Sequence, residues 1–352
     1  SAAAGALIPI KEKEFSKIDF VQDSILDCLH NYRQAQIVGG AGTGKTFIGI
    51  KKAVRDVLDE KKVLFICCNE ELTAFVRSRL SQYPKIDVFT YAELMRNLLG
   101  DLYDELPTNP DGNKSCFEYM DDVPAEKKYD SIIVDEAQDF DIDMGLAIRS
   151  LMLDDSTSSL YVFYDKNQNV FEMDFENAFA IDAPPYVLRY NIRNTGSIYQ
   201  CAVERTNLGR DTVANNIVGV HPEIHNYTKP SQAVKALSLI VNRLVQKEYV
   251  PSESIVIVSD SPYENSILAG ETRIGAYNLV FKHYRDVCED EICFKTAEEF
   301  KGLESNVVIY LTHEFTNLPS STIDNRKEYV AITRARYYLY VLNTKCKATI
   351  GD

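Results

Sequence analysis

The sequence has no tryptophan in 352 residues, only five histidines and no surplus of positive charge: 38 lysines and arginines face 52 aspartates and glutamates, a formal net charge of −14. That balance excludes a nucleic-acid protein built on bulk positive potential, although a local cleft on an acidic body stays compatible with strand binding. The missing tryptophan removes one kind of platform on which a base can stack, an interaction worth about 1–3 kcal/mol. Among eight cysteines (28, 67, 68, 116, 201, 288, 293 and 346) there is no C-x-x-C pair and no Cys/His spacing that suits zinc. A metal cluster is therefore not expected, and reduced thiols in a cytoplasmic protein are. No apolar stretch approaches the ~18 residues that span a bilayer, and there is no secretory signal, internal repeat or low-complexity tract. What remains is a 45% apolar chain long enough for two domains, each with a core of its own.

Its most informative stretch is Gly39-Gly40-Ala41-Gly42-Thr43-Gly44-Lys45-Thr46, which fits G-x-x-x-x-G-K-[ST]. The apolar run Ala35-Gln36-Ile37-Val38 leads into it, and Lys45–Val54 follows with apolar spacing near 3.6 residues, the strand–loop–helix context the motif needs. Glycines at 40, 42 and 44 let successive backbone N–H groups turn toward phosphates, Thr43 included, and the helix N-terminus adds its partial positive charge. Lys45 is expected to reach the β- and γ-phosphates of ATP, and the Thr46 hydroxyl to ligate Mg²⁺. About ninety residues on, Tyr129-Asp130-Ser131-Ile132-Ile133-Val134 reads as a buried strand delivering Asp135 and Glu136 to the sheet's carboxyl edge, where ligands of open α/β sheets sit. Alone, such a pair is as readily a solvated strand end. Beside a phosphate loop, Asp135 is expected to hold the Mg²⁺ hydration shell and Glu136 to polarise the attacking water.

Asp135-Glu136-Ala137-Gln138-Asp139-Phe140 resembles motif II of the UvrD/Rep-type superfamily 1 helicases, and further family motifs follow in order. Asp165-Lys166-Asn167-Gln168 is similar to motif III, whose glutamine, here Gln168, senses the γ-phosphate. Leu188–Thr195 resembles motif IV, with Arg193 at the phosphate-contacting arginine. Thr296 to Glu304 resembles motif V, where Glu304 would meet the ribose, and Tyr329–Arg336 resembles motif VI, with Arg334 at the arginine finger. Upstream, Gln22 stands where the family places its adenine-reading glutamine. The matches run from about residue 20 to 343. Segments 162–168 and 300–305 look most like bacterial UvrD-like proteins with a nuclease-related domain ahead of the motor. The resemblance implies two RecA-like P-loop NTPase domains with parallel sheets and ATP·Mg²⁺ in the cleft between them. Hydrolysis spreads charge over the phosphoryl oxygens, so an arginine arriving from a second domain would make turnover depend on closure.

The chain also departs from the family. After Gln168, Phe171 keeps the first stacking aromatic, but Met173 stands for the tryptophan and Asp174 for the arginine. Motif IV has Ile192 in place of the usual adenine-stacking tyrosine, with Tyr190 two residues away as a substitute. Motif V has Glu298 where a histidine is common, and a carboxylate there would repel a phosphate backbone. Only 44 positions separate Tyr91 from Asp135, and 103 separate Arg193 from Thr296. Accessory subdomains are thus expected to be reduced or absent, with an acidic, turn-rich loop over 101–128. ATPase or translocase activity is expected ahead of duplex unwinding. Candidate strand contacts are Asn69, Arg77, Thr90, Tyr91, Phe171 and Thr296.

Alternating patterns predict strands near 35–39, 62–67, 86–89, 131–134 and 159–164 with helices between, hence a parallel sheet with right-handed crossovers. The second half carries strands near 186–189, 254–258, 306–311 and 337–342 and a helix near 231–247, while 261–290 shows no clear period. Pro184-Pro185 marks the crossing, giving domains 16–184 and 185–352. Residues 1–15, beginning Ser1-Ala2-Ala3-Ala4, read as a cloning scar or trimmed linker, with an upstream domain missing. The leading expectation is a translocase or helicase core acting on single strands, DNA ahead of RNA, with a fused or partner nuclease. A regulatory ATPase that gates such a nuclease without tracking is the second reading. A small-molecule P-loop kinase explains neither motif IV nor motif VI.

Overall fold

Three apolar runs, Val63–Cys67, Ser131–Val134 and Ser159–Tyr164, are buried along their whole length, as strands covered on both faces must be. In this computed structural model, which describes residues 3–16, 20–108, 112–169, 178–315 and 322–346, they lie inside a six-stranded sheet. Its members are β1 (Gln34–Gly39), β2 (Val63–Cys67), β3 (Ile86–Thr90), β4 (Ser131–Val134), β5 (Ser159–Tyr164) and β6 (Tyr186–Leu188). The order is β3-β2-β4-β5-β1-β6, and every pair is parallel. The chain divides into two compact units, Phe20–Arg189, which holds this sheet, and Ser1–Asp19 joined with Tyr190–Asp352.

In the first unit, the helix Lys45–Leu58 lies close against the sheet at Gly49, where a Cβ would stand 3.2 Å from Phe65 Cζ. The segment expected as an acidic loop over 101–128 is more than that. It forms a short helix at Asp101–Glu105 and 3₁₀ turns at Phe117–Asp122 and Ala125–Lys127, and it buries Tyr103, Cys116 and Met120 in the core beside Leu64 and Ile132. The strand near 186–189, assigned from sequence to the second half, pairs with β1 in the first sheet (Ile37 with Tyr186, Gly39 with Leu188). The edge of β1 away from β5 needs a hydrogen-bonding partner, and this segment supplies it, so the first unit ends at Arg189 and not at the prolines.

In the second unit seven strands form one sheet: β7 (Glu223–Tyr227), β8 (Ile255–Ser259), β9 (Arg273–Ile274), β10 (Tyr277–Val280), β11 (Glu291–Thr296), β12 (Ser305–Phe315) and β13 (Ala335–Cys346). The order is β7-β13-β12-β8-β11-β10-β9. All pairs are parallel except β9 with β10, an antiparallel hairpin at one edge inside the stretch without a clear period. Residues 1–15 are not a bare linker. Ala4–Ser16 is a helix that buries Ala4, Ile8 and Phe15 in this unit's core, and the Gly5 N–H donates to Glu248 O at 2.8 Å. Among the described residues no helix is long and apolar enough to cross a membrane, and no group of three or more His, Cys, Asp or Glu could hold a metal ion.

Candidate functional site

The phosphate loop leaves β1 and enters the helix Lys45–Leu58 through Gly44, whose φ of 87° lies in the left-handed region. No side chain caps this helix, so its first N–H groups are left to the loop and to a ligand. Lys45 is buried and folded back over the loop, its Nζ donating to Gly39 O (2.9 Å) and Gly40 O (3.1 Å). The Thr43 hydroxyl donates to Gly40 O at 2.8 Å, while Gly42 takes a φ of 70°. Thr46, in the first turn of the helix, is also buried.

At the end of β4, Asp135 is fully buried. Its Oδ1 accepts the Glu136 backbone N–H (3.0 Å), whereas Oδ2 has no hydrogen-bond partner. Burial, and secondarily the Glu136 charge, push its carboxyl above the ordinary range, opposed by the Thr46 hydroxyl and the Lys45 ammonium. A buried carboxylate oxygen without a partner is costly. Together with the hydroxyl of Thr46, it is the oxygen donor set a hard divalent cation prefers, so these residues fit Mg²⁺. Glu136 sits at φ 54°, ψ 44°, a left-handed conformation that costs a non-glycine residue about 1–3 kcal/mol.

Gln138 holds that arrangement, and sequence reasoning did not single it out. Wholly buried, it donates from Nε2 to Glu136 Oε2 (2.5 Å) and accepts the Asp165 N–H on Oε1 (3.0 Å). Asp165 in turn accepts from Gln168 Nε2 (2.7 Å) and from the Asn167 N–H (2.9 Å), its carboxyl raised by burial and opposed by Lys45. One hydrogen-bonded path therefore runs from Glu136 through Gln138 and Asp165 to Gln168, joining the ends of β4 and β5. The signal was a polar amide between Ala137 and Phe140, both core residues. Gln22 lies in the helix Phe20–Leu29 of the same unit, 1% exposed, with Nε2 lacking a partner. A buried, unpaired amide donor fits a ligand acceptor better than a surface role.

In the second unit Arg193 and Arg334 are both buried. Arg334 donates from Nε to Val330 O (3.0 Å), from Nη1 to Leu303 O (3.0 Å) and from Nη2 to the Thr333 hydroxyl (3.2 Å). Glu304 stands 3.6 Å from Arg336 Nε. Glu298, expected to repel a phosphate backbone, is paired with Lys327 at 2.6 Å, which offsets its charge. Ile192 is buried while Tyr190 is 65% exposed, so of the two only the tyrosine presents a ring face to solvent.

Most candidate strand contacts carry a structural duty. Asn69 N-caps the helix Glu70–Leu80, accepting the Leu72 N–H at 2.8 Å. Arg77 donates to Val88 O (2.7 Å) and pairs with Glu93 (3.2 Å). Thr90 forms a capping box with Glu93 at the start of the helix Tyr91–Leu99. Tyr91 is buried, and desolvation pushes its phenol far above the ordinary range. Thr296 and Glu299 exchange hydrogen bonds of the same kind (Glu299 N to Thr296 Oγ1, 3.2 Å; Thr296 N to Glu299 Oε2, 2.8 Å). Phe171 lies outside the described residues. Thr90→Ala is expected to lower the denaturant midpoint by the equivalent of about 1 kcal/mol through loss of the capping box. An unchanged midpoint in urea would remove that duty.

Residues 22–173 match the sequence model of the AAA domain family. A search of curated protein sequences returned no match. Among solved structures, the chain is similar to the arterivirus nonstructural protein 10 helicase in complex with DNA, at 12% identity and a TM-score of 0.43 over 88% of this chain and 60% of that one. It is also similar to the PRRSV helicase, at 14% identity and a TM-score of 0.46 over 88% of this chain and 52% of that one. The chain thus spans between about half and three fifths of the length of these proteins.

Proposed function

We propose that this chain is an ATP-dependent nucleic-acid translocase or helicase core of the UvrD-like superfamily 1 type. The observation that carries the reading is the fully buried Asp135, one oxygen left without a partner, at the end of the strand that also delivers Glu136 and beside Thr46 and Lys45 of the phosphate loop. Mg²⁺, held by Thr46 and Asp135, would neutralise charge on the β- and γ-phosphates. The chain's own groups do the rest. Gly40, Gly42, Thr43 and Gly44 cradle phosphate through their backbone, and Lys45 turns its ammonium from the loop carbonyls to the γ-phosphate. Glu136, aimed by Gln138, orients water and accepts its proton, while Gln168 registers the γ-phosphate through Asp165. Gln22 reads adenine, Glu304 meets the ribose, and Arg193 and Arg334 bring cationic charge to the transferring group.

Single-stranded nucleic acid, DNA ahead of RNA, is the proposed track, with Asn69, Arg77, Thr90, Tyr91, Phe171 and Thr296 as contacts. The capping duties of Asn69 and Thr90, together with the acidic composition, favour a second reading, a regulatory ATPase that gates a fused or partner nuclease without tracking. Steady-state ATP hydrolysis at low salt, with and without single-stranded DNA and RNA oligonucleotides, separates the two. At least about tenfold stimulation by one polymer is expected. Hydrolysis indifferent to both would sink the translocase and leave the switch.

A further inference from the structure

Three asparagines of the second unit, Asn191, Asn194 and Asn215, form a network to which the motif resemblance assigns no task. Asn191 Oδ1 accepts the backbone N–H groups of Arg193 (3.1 Å) and Asn194 (3.0 Å), fixing the turn that carries Arg193. Its Nδ2 donates to Asn194 Oδ1 at 2.7 Å. Both amide protons of Asn194 are then used at one place, donated to Thr333 O (2.8 Å) and Ala335 O (2.6 Å), the two carbonyls that flank Arg334. From outside, Asn215 Nδ2 donates to Asn191 O (3.1 Å) and Asn194 O (2.6 Å), while its own Oδ1 accepts the Ile217 N–H (2.8 Å). Asn191 and Asn194 are buried to within 1%.

A buried amide with every site satisfied resists rearrangement, because each broken bond strands a polar group away from water. Asn194 follows Arg193 directly in sequence, and its side chain straddles the peptide units on either side of Arg334. The backbones of the two arginines are thereby tied through a single side chain, and Leu303 O, just before Glu304, holds the Arg334 guanidinium from the other side.

We propose that Asn194 is a positioning residue that locks Arg193 and Arg334 into one rigid cationic unit, so that the two meet the γ-phosphate together or not at all. This rests on the ATPase reading above. Its signature is a defect in turnover rather than in binding, since among the described residues Asn194 bonds to Asn191, Asn215, Thr333 and Ala335 and to no residue of the phosphate loop.

Asn194→Ala is expected to lower kcat about 10- to 100-fold, the scale of a misplacement near 1 Å, with ATP affinity measured by equilibrium binding unchanged within about threefold. A purely structural residue could lower kcat too, so single-turnover rates of a double-mutant cycle decide. In an Arg193→Ala, Arg334→Ala background, Asn194→Ala should cost nothing further, because there is no pair left to align. Should Asn194→Ala fail to fold by circular dichroism, the partly buried Asn215→Ala replaces it in the same cycle, with an expected loss of about 3- to 10-fold. Additive losses, with the arginine variants themselves impaired, would overturn the coupling and leave the ATPase reading standing. Arginine variants with normal turnover would overturn that reading and the coupling with it.

Discussion

Lys45→Ala is expected to abolish ATP hydrolysis, with kcat/KM falling by at least about 10³-fold. Two contributions are lost at once. The buried ammonium is the one cation of the phosphate loop, since no other lysine or arginine lies within Gly39–Thr46. It also braces the loop by donating to the carbonyls of Gly39 and Gly40, bonds that keep the intervening backbone folded before ATP arrives. Lys45→Met keeps the length but loses both the charge and the donors, so the denaturant midpoint is what tells the two apart. Turnover as low as in Lys45→Ala, together with a denaturant midpoint within about 1–2 kcal/mol of the parent, would show that charge at the phosphates and not loop folding sets the loss. A coupled steady-state ATPase assay is the check, and normal turnover in either variant would dismiss the loop as the site of hydrolysis.

Much of this molecule is legible in its sequence because the information is local. The phosphate loop needs only its own glycines and the flanking strand and helix. β2, β4 and β5 show as continuous apolar runs because both of their faces are covered. What escaped the sequence depends on partners far along the chain. Tyr186–Leu188 is too short to carry a period, and only the free edge of β1 assigns it to the first sheet. Glu223–Tyr227 alternates half-buried and exposed residues at a sheet edge, with Glu, His and Asn where a core strand would have apolar side chains. The hairpin of β9 and β10 offers two and four residues, below any usable window. At the N-terminus, small residues read as a linker, yet smallness is what lets Ala4 and Gly5 sit against the second unit's core. The candidate site divides the same way. Gln138 finds its partner 27 positions away in Asp165 N–H, and Asn194 finds its acceptors 139 and 141 positions away. No spacing rule reaches that far, so these amides were invisible beside the charged residues they orient.

Glu136→Gln is expected to reduce turnover about 10³-fold while ATP binding stays within about threefold of the parent. The substitution keeps the side chain's size, and its new amide can turn its carbonyl oxygen toward Gln138 Nε2, preserving the bond that aims residue 136. Asp135 keeps its buried oxygen, and the loop keeps Lys45 and Thr46, so the groups assigned to nucleotide and Mg²⁺ are untouched. Only the capacity proposed for Glu136, to take a proton from water, disappears. The left-handed backbone at Glu136 sharpens the point: a strained residue whose carboxylate is held by a wholly buried glutamine costs stability that packing alone does not require. Nucleotide anisotropy for binding, set beside single-turnover hydrolysis, measures the two quantities separately. Turnover within tenfold of the parent would mean that another group handles the water. Loss of binding and turnover together would move Glu136 from the chemistry of hydrolysis into the nucleotide-holding set, and Gln138 would then be orienting a ligand of the cation rather than a base.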